Sequence, residues 1–385
     1  MATAPRTGLA GQVGLIKDAT WATYQAPTKF LPFLSESMGG GPEPLLSEAI
    51  IVNRLHTDAN QHTIGNETYK GDLQFELYDH SIAALFEACL GTLATTGAGP
   101  YTHTFTPGEP LPSYTLQVGT PDATGTVRPK TYTGSKVESW ELAAEVGKIV
   151  TLGTSWSAKN EILYRTVTDG ATNTNTTVTS VTAAFTAEDV GKPISGTGIP
   201  AATTIASVQS ATSVTISAAA TGTATGVTLT IGVATASASY ASNLIPVRCS
   251  EAALSLYGTT VNMKSCKLRG DNKLTYDERR YAGSTRIGGE QVTQARREYG
   301  GDVLLEFDNN NTEYLRFKKG TQGALVLTFT TGSNTYTTTC NIVYTGETRK
   351  VGGPGIVDQP LPFIMLGSTD AAAITVVAVN SDSTP

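Results

Sequence analysis

Two short stretches decide how this chain is read: Tyr69–Leu77, YKGDLQFEL, and Tyr299–Phe307, YGGDVLLEF. Tyr, Gly, Asp and Glu stand at the same offsets in both, as Tyr69 and Tyr299, Gly71 and Gly301, Asp72 and Asp302, Glu76 and Glu306. Leu73, Phe75 and Leu77 match Val303, Leu305 and Phe307. Apolar residues at every second position line one face of a strand. The stretches that follow also match. Ile82, Leu85, Phe86, Cys89 and Leu90 have the spacing of one apolar helix face, with Asp79 as the expected cap and Gly91 as the stop. After the second copy, Thr312–Lys319 reads as a shorter helix with Asn311 as cap and Gly320 as stop. Two tandem copies of one β-rich domain follow, each with a single short helix.

Each copy has a strand expected before it, Glu48–His56 (EAIIVNRLH) in the first and Ser265–Leu274 (SCKLRGDNKL) in the second. A polar excursion then leads into the repeat. In the first copy, Thr57–Thr68 carries acids and no Lys or Arg. In the second, Lys264, Lys267, Arg269, Lys273, Arg279, Arg280, Arg286, Arg296 and Arg297 face only Asp271, Asp277, Glu278 and Glu290. Opposite charge on matching excursions suits surfaces that dock on complementary neighbours, so these nine cations are candidates for contacts between subunits.

Between the copies the composition changes. Thr166 to Gly232 holds 19 Thr, one aromatic (Phe185) and four charges. Val, Ile and Leu alternate with Thr and Ser in Ser213–Ser217 and Val227–Ile231, which reads as half-buried strands, and Gly196–Pro200 reads as a turn. An all-β module inserted into a host loop fits this pattern. The expected division is a first domain at 1–165, the inserted module at 166–232 and a second domain at 233–385.

The whole chain has 385 residues, 27 Lys and Arg against 33 Asp and Glu, a net charge of −6, and 16% charged residues. An average soluble protein has about 25%. Scarce Lys and Glu with abundant Gly and Thr argue for short strands and tight turns over helical bundles. The acidic balance argues against tight phosphate binding. No signal peptide is readable at Met1–Ile16, and the most apolar stretch, Ala371–Val379, falls short of the roughly 20 residues of a membrane span. Cys89, Cys249, Cys266 and Cys340 form no paired motif and are expected as buried thiols. His56, His62, His80 and His103 show no ligand spacing, so neither metal nor cofactor is expected. Gly196–Ala201 matches a dinucleotide fingerprint only formally, because Pro200 and a Thr-rich run follow the glycines. Asp72, Glu76, Asp302 and Glu306 are equivalent in a repeat, on the polar face of matching strands, and no catalytic residue is assigned.

The order of strand, long excursion, Gly-led strand, short helix ending in Leu-Gly and paired strands resembles the major tail tube proteins of long-tailed, non-contractile phages. The carriers are Tyr69–Gly91, Tyr101–Val118 (YTHTFTPGEPLPSYTLQV) and Gln359–Asn380. Phe185–Ile231 is similar to Thr/Gly-rich β modules inserted in phage virion proteins. The resemblance implies a mainly β fold of two tandem tube-type, barrel-forming β-sandwich domains plus the small module. It implies a structural virion protein, made in the host cytoplasm, whose rings stack into a hollow tail tube through which double-stranded DNA passes without sequence-specific binding. Partners would be copies of the chain, as trimers with pseudo-sixfold symmetry or as hexamers, and other tail proteins at the tube ends. The Tyr69/Tyr299 repeat favours the trimer. In such a tube Asp72, Glu76, Asp302 and Glu306 would lie on the lumen wall or at a subunit contact, and the basic Lys264–Arg297 excursion would lie on the rim between rings and not in the lumen.

Other readings stand beside it. A tube terminator, a decoration protein or a contractile-type inner tube would share the ring-forming character. A carbohydrate-binding adhesin built of β modules would use the Thr-rich insert as its binding surface.

Overall fold

A computed structural model describes residues 8–50, 55–58, 60–275, 280, 287–293, 295–307, 311–349 and 356–385. The Tyr69 and Tyr299 stretches lie in one antiparallel sheet. Its first-repeat elements are β1 (Ser35–Glu36), β2 (Gly39–Leu46), β3 (His62–Glu76), α1 (Ala84–Leu90), β4 (Val127–Glu145) and β5 (Thr151–Ala158). The second repeat supplies β6 (Met263–Asp271), β7 (Glu298–Glu306), α2 (Thr312–Lys319), β8 (Asn334–Tyr344) and β9 (Asp358–Met365). Neighbours run β1/β2, β3, β5, β4, then β6, β7, β9, β8.

The registers show that the two halves are copies. Glu76 faces Thr151 and Glu306 faces Asp358. Leu73 faces Glu36 and Val303 faces Cys266. Trp156 faces Val137 and Phe363 faces Tyr344. The shared glycine has the same cause in both. A Cβ on Gly71 would lie 2.5 Å from Met38 Cα, and one on Gly301 would lie 2.0 Å from the Lys267 carbonyl oxygen. Only glycine lets the preceding strand come so close. The repeats join edge to edge through β4 and β6, with Glu141 opposite Arg269.

One face of this sheet buries Leu73, Phe75, Leu142, Leu152, Trp156, Leu268, Val303, Leu361 and Phe363. It is covered by α1 and by a second layer of strands, Gln12–Lys17 with Tyr114–Pro121 in the first repeat and Gly323–Thr331, β8 and Ile374–Asn380 in the second. Ile374–Asn380 also pairs with Tyr101–Pro107 of the first repeat, Val376 opposite Phe105. The repeats therefore share both layers and one continuous apolar core.

The helices end as the glycines predict, Gly91 at φ 115 and Gly320 at φ 58. Their starts differ from expectation. Asp79 does not cap α1, which begins after Ala83 without a side-chain cap. The Asp79 carboxylate instead accepts the Ile245 backbone N–H at 2.9 Å and Asn334 Nδ2 at 2.8 Å, tying the repeats together. Asn311 stands before α2, but its Oδ1 accepts from Arg349 at 2.8 Å. A one-turn helix, Asp370–Ala373, opens the most apolar stretch, which continues as the strand Ile374–Asn380. The strand expected at Glu48–His56 is also corrected. The chain pairs earlier, as Gly39–Leu46, and the described residues of 48–56 lie in the connection to β3, with 51–54 outside the described set. GGGPEPLL reads as a loop, yet proline is tolerated on an edge strand whose outer side has no partner, and β2 is such an edge.

The Thr-rich segment forms a separate six-stranded sheet with its own core of Val178, Phe185, Val214, Leu229 and Ile231. Gly196–Pro200 is a turn, closed by the Ile199 N–H on the Gly196 carbonyl at 3.0 Å. Arg165 stands opposite Ile231, so the chain enters and leaves this module on adjacent strands. Buried Asp189 clamps that entrance, accepting Arg165 Nη1 and Nη2 at 2.9 and 2.6 Å. Burial pushes the Asp189 carboxyl up, but hydrogen bonds from Arg165 and the Thr186 N–H, with the charge of Lys192, hold it below the usual range.

Candidate assembly surfaces

The second face of the central sheet is polar. Period-two alternation sends Lys70, Asp72 and Glu76 of β3, Glu141 and Glu145 of β4, Lys267, Arg269 and Asp271 of β6, and Asp302 and Glu306 of β7 to the side opposite the core. A groove of ≈ 730 Å³ touches six adjacent strands here, lined by Asp72, Glu141, Ser155, Arg269, Asp271 and Pro362 among others. The groove makes this stretch of the face concave.

The face is acidic and its cations are neutralised. Arg269 bridges the repeat junction, its Nε 2.6 Å from Glu141 and its Nη2 2.5 Å from Asp302. The hydrogen bond to Glu141, with the Asp302 and Glu141 charges, holds the guanidinium above its ordinary pKa. Lys267 lies 3.9 Å from Glu141, and Lys70 lies 3.3 Å from Glu138. Ser155 Oγ donates to Asp72 at 2.5 Å, and Tyr78 donates to Glu76 at 3.1 Å. Glu306 is exposed at the end of β7. All four sequence-assigned carboxylates therefore lie on this one face.

The nine candidate cations separate into groups. Lys267 and Arg269 sit on the body of β6, on the same face as Asp302. Lys264, beside them at a bulge, pairs with Asp358. Lys273 bonds Asp271 and Glu298 at 2.8 and 3.1 Å at the root of the excursion. Arg280 donates to the Glu67 carbonyl at 2.5 Å, and Arg297 to those of Leu90 and Gly108 at 2.9 and 2.8 Å. Leu90 is the last residue of α1, where the helix dipole favours a cation. Arg296 is exposed, and Arg279 and Arg286 lie outside the described residues.

Sequence reading missed Lys136. It is 2% exposed, and its Nζ bonds Glu290 at 2.8 Å and the Gln291 carbonyl at 2.9 Å. A lysine in the polar stretch Thr133–Ser139 carries no mark of such a partner. With Arg280 and Arg297, it fastens the second excursion onto the first repeat. On the matching hairpin of the first repeat the Glu67 carbonyl accepts from Arg280, while Leu45, Leu46 and Ile64 are 56%, 63% and 52% exposed. Leu45 and Leu46 are consecutive on β2 and point to opposite faces, so Leu46 and Ile64 share one face of the hairpin and offer it to a partner.

The sheet ends in two edges. On one side, β1 and β2 pair only with β3 among the described residues. On the other, the ladder between β8 and β9 stops at Pro362. Leu366 N–H bonds the Asn341 carbonyl at 2.9 Å, and Thr345 N–H bonds the Pro362 carbonyl at 2.9 Å. Thr345–Arg349 is then not a strand, although the equivalent Ser139–Ala143 of β4 is.

All four cysteines are free and buried, and burial pushes the Cys340 thiol up to about 12. The described residues hold no cluster of His, Cys, Asp and Glu arranged for a metal ion, and no described helix is long and apolar enough to cross a membrane. Arg269–Asp271, which spells a cell-adhesion tripeptide, is strand with its Arg ion-paired.

A doubled β fold with a concave acidic face, and with sheet edges left unpaired among the described residues, suits a protein that associates with copies of itself. The phage tail tube protein family model matches the chain twice, over residues 8–232 and 196–365, and the chain belongs to that family. No curated protein matches it. The chain is thus a structural component of a phage tail that assembles into a tube with other tail proteins. Two matches in one chain agree with the tandem copies seen in the fold.

Proposed function

We propose that three chains close into a ring of pseudo-sixfold symmetry, that the rings stack head to tail, and that double-stranded DNA leaves through the bore. One observation carries this reading: the chain already contains a copy-to-copy sheet junction, β4 against β6. Each repeat presents the same two edges in the same direction, so β1/β2 of one chain can meet the β8/β9 side of the next as β6 meets β4. Repetition of such a contact closes a ring and removes exposed strand edges. The concave polar face then becomes the lumen wall, with Asp72, Glu76, Asp302 and Glu306 on it beside Lys267 and Arg269. An acidic wall with paired cations gives passing phosphates no counterion-releasing grip.

Stacking contacts fall to the exposed Leu46 and Ile64 of the β2–β3 hairpin and to Arg296. Arg280 and Arg297 hold the second excursion on its own chain, so reversing their charge would disturb the fold before any stacking contact. Electron microscopy of the purified chain at rising concentration tests the reading. Long hollow tubes are expected, and a monomer that stays unassembled at every concentration would refute it.

We also assign the Thr-rich module to the tube exterior, as a domain independent of the host. Its entering and leaving strands are adjacent, so removing 166–232 with a short Gly/Ser link leaves the host chain ends close. The expected outcome is a soluble protein that still forms tubes, thinner by one module in projection. A folded deletion that no longer assembles would place the module in the ring contact.

A further inference from the structure

Comparing the repeats residue by residue isolates one difference with a mechanical consequence. In the first repeat, Gly153 and Ser155 of β5 pair with Glu141 and Ser139, and β4 continues beyond them to Glu145. The register places Pro360 and Pro362 of β9 at those two positions, since Asp358 faces Glu306 as Thr151 faces Glu76. The Pro362 carbonyl points to the β8 side, where it accepts from Thr345. In an extended strand a residue's N and C=O point the same way, and Pro360, two residues on, shares that direction. Both missing N–H groups therefore fall on the outer edge of β9. A strand formed there by Thr345–Arg349 would lack two of its hydrogen bonds.

The segment is held elsewhere instead. The Glu347 side chain is 3% exposed and accepts from Gln359 Nε2 at 3.0 Å. Arg349 pairs with Glu347 at 2.5 Å, donates to Asn311 at 2.8 Å, and lies 4.6 Å from the Phe307 ring centre and 5.1 Å from that of Tyr314. These contacts park Thr345–Arg349 against the start of α2.

We propose that Thr345–Arg349 is the docking strand for the β1/β2 edge of a second copy of this chain, and that Pro360 and Pro362 keep it parked until that edge arrives. The inference rests on the ring reading above and specifies its joint. By the in-chain register, Glu347 would stand opposite Gly39 as Glu141 stands opposite Arg269, and Arg349 would come opposite Ser37, next to Glu36. Alone, the extended segment has too few partners to displace the parked one. A neighbouring edge supplies the second row of hydrogen bonds, so strand completion and chain addition occur together. The free chain then offers no finished edge on this side, as edge-protecting prolines do elsewhere.

Hydrogen exchange on the full chain, free and assembled, tests this together with the double variant Pro360→Thr/Pro362→Thr. In the unaltered protein, the backbone amides of Glu347 and Arg349 should exchange at least tenfold more slowly in tubes than in the free chain. In the double variant they should be slowed already in the free chain, and tubes should form at about a tenth of the usual protein concentration. Tubes in which both amides exchange as fast as in the free chain would overturn the docking strand while leaving the ring intact. A folded double variant with unchanged exchange and assembly would overturn the proline restraint. Should that variant not fold, the comparison of free and assembled unaltered protein still decides the docking strand.

Discussion

Valine at position 301 will separate the two repeats. A Cβ on Gly301 lies 2.0 Å from the Lys267 carbonyl oxygen and 2.8 Å from the Phe363 ring. The first of these is backbone, held by β4 on its other side, and cannot yield as a side-chain tip would. Forcing β6 away from β7 also strains the Arg269 bridge to Glu141 and Asp302. Overpacking of this kind costs about 3 kcal/mol or more, which for a chain of this size lowers the melting temperature by about 4 °C. The equivalent substitution, Gly71→Val, meets Met38 at 2.5 Å on an outer edge. It should spare the shared core, displace β1 and β2, and abolish tube formation. Thermal melting with electron microscopy separates the two outcomes. A Gly301→Val chain that melts like the unaltered protein would contradict the joint as described.

Trp156→Ala is the second large effect. Trp156 is 1% exposed on β5, its indole N–H donates to Thr154 Oγ1 at 2.8 Å, and its ring meets Tyr114 edge-on at 5.9 Å between centres. It links the central sheet to the layer above, and Phe363 occupies the same place in the second repeat. Truncation leaves a cavity that neither layer can close, at a cost of about 4 kcal/mol. Chemical denaturation should show the midpoint falling with the slope unchanged. A loss under about 1 kcal/mol would mean that the layers repack around the gap.

The parts of the fold that sequence made legible are those where local chemistry and tertiary structure agree. The Tyr69 and Tyr299 strands, the glycines ending both helices and the Thr-rich module follow from period-two alternation and turn residues alone. Failures occur where a distant partner overrides the local signal. Asp79 has the form of a helix cap but serves Ile245 and Asn334, far along the chain. GGGPEPLL lacks strand character and pairs nonetheless, because it needs only one neighbour.

The assembly surfaces were legible in the same measure. Asp72, Glu76, Asp302 and Glu306 share a face because the repeat and the pleat require it. The basic run behaved differently. Nine cations near one another in sequence are placed by strand register, loop return and ion pairing, so Arg269 ends beside Asp302 and Arg297 at the foot of α1. Lys136 gave no signal, since its partners Glu290 and Gln291 come from the other repeat. Pro360 and Pro362 were visible only as residues of a familiar ending, and their meaning appears once Gly153 and Ser155 are laid beside them.

The most direct measurement is a reconstruction, by electron cryo-microscopy, of tubes grown from the purified chain. Three chains per ring are expected, with an unbroken sheet around the bore and Gly39 of each chain opposite Glu347 of the next. Six chains per ring, or tubes in which the β1/β2 edge and Thr345–Arg349 remain unpaired, would contradict the proposal that the junction within the chain is the pattern for the junction between chains.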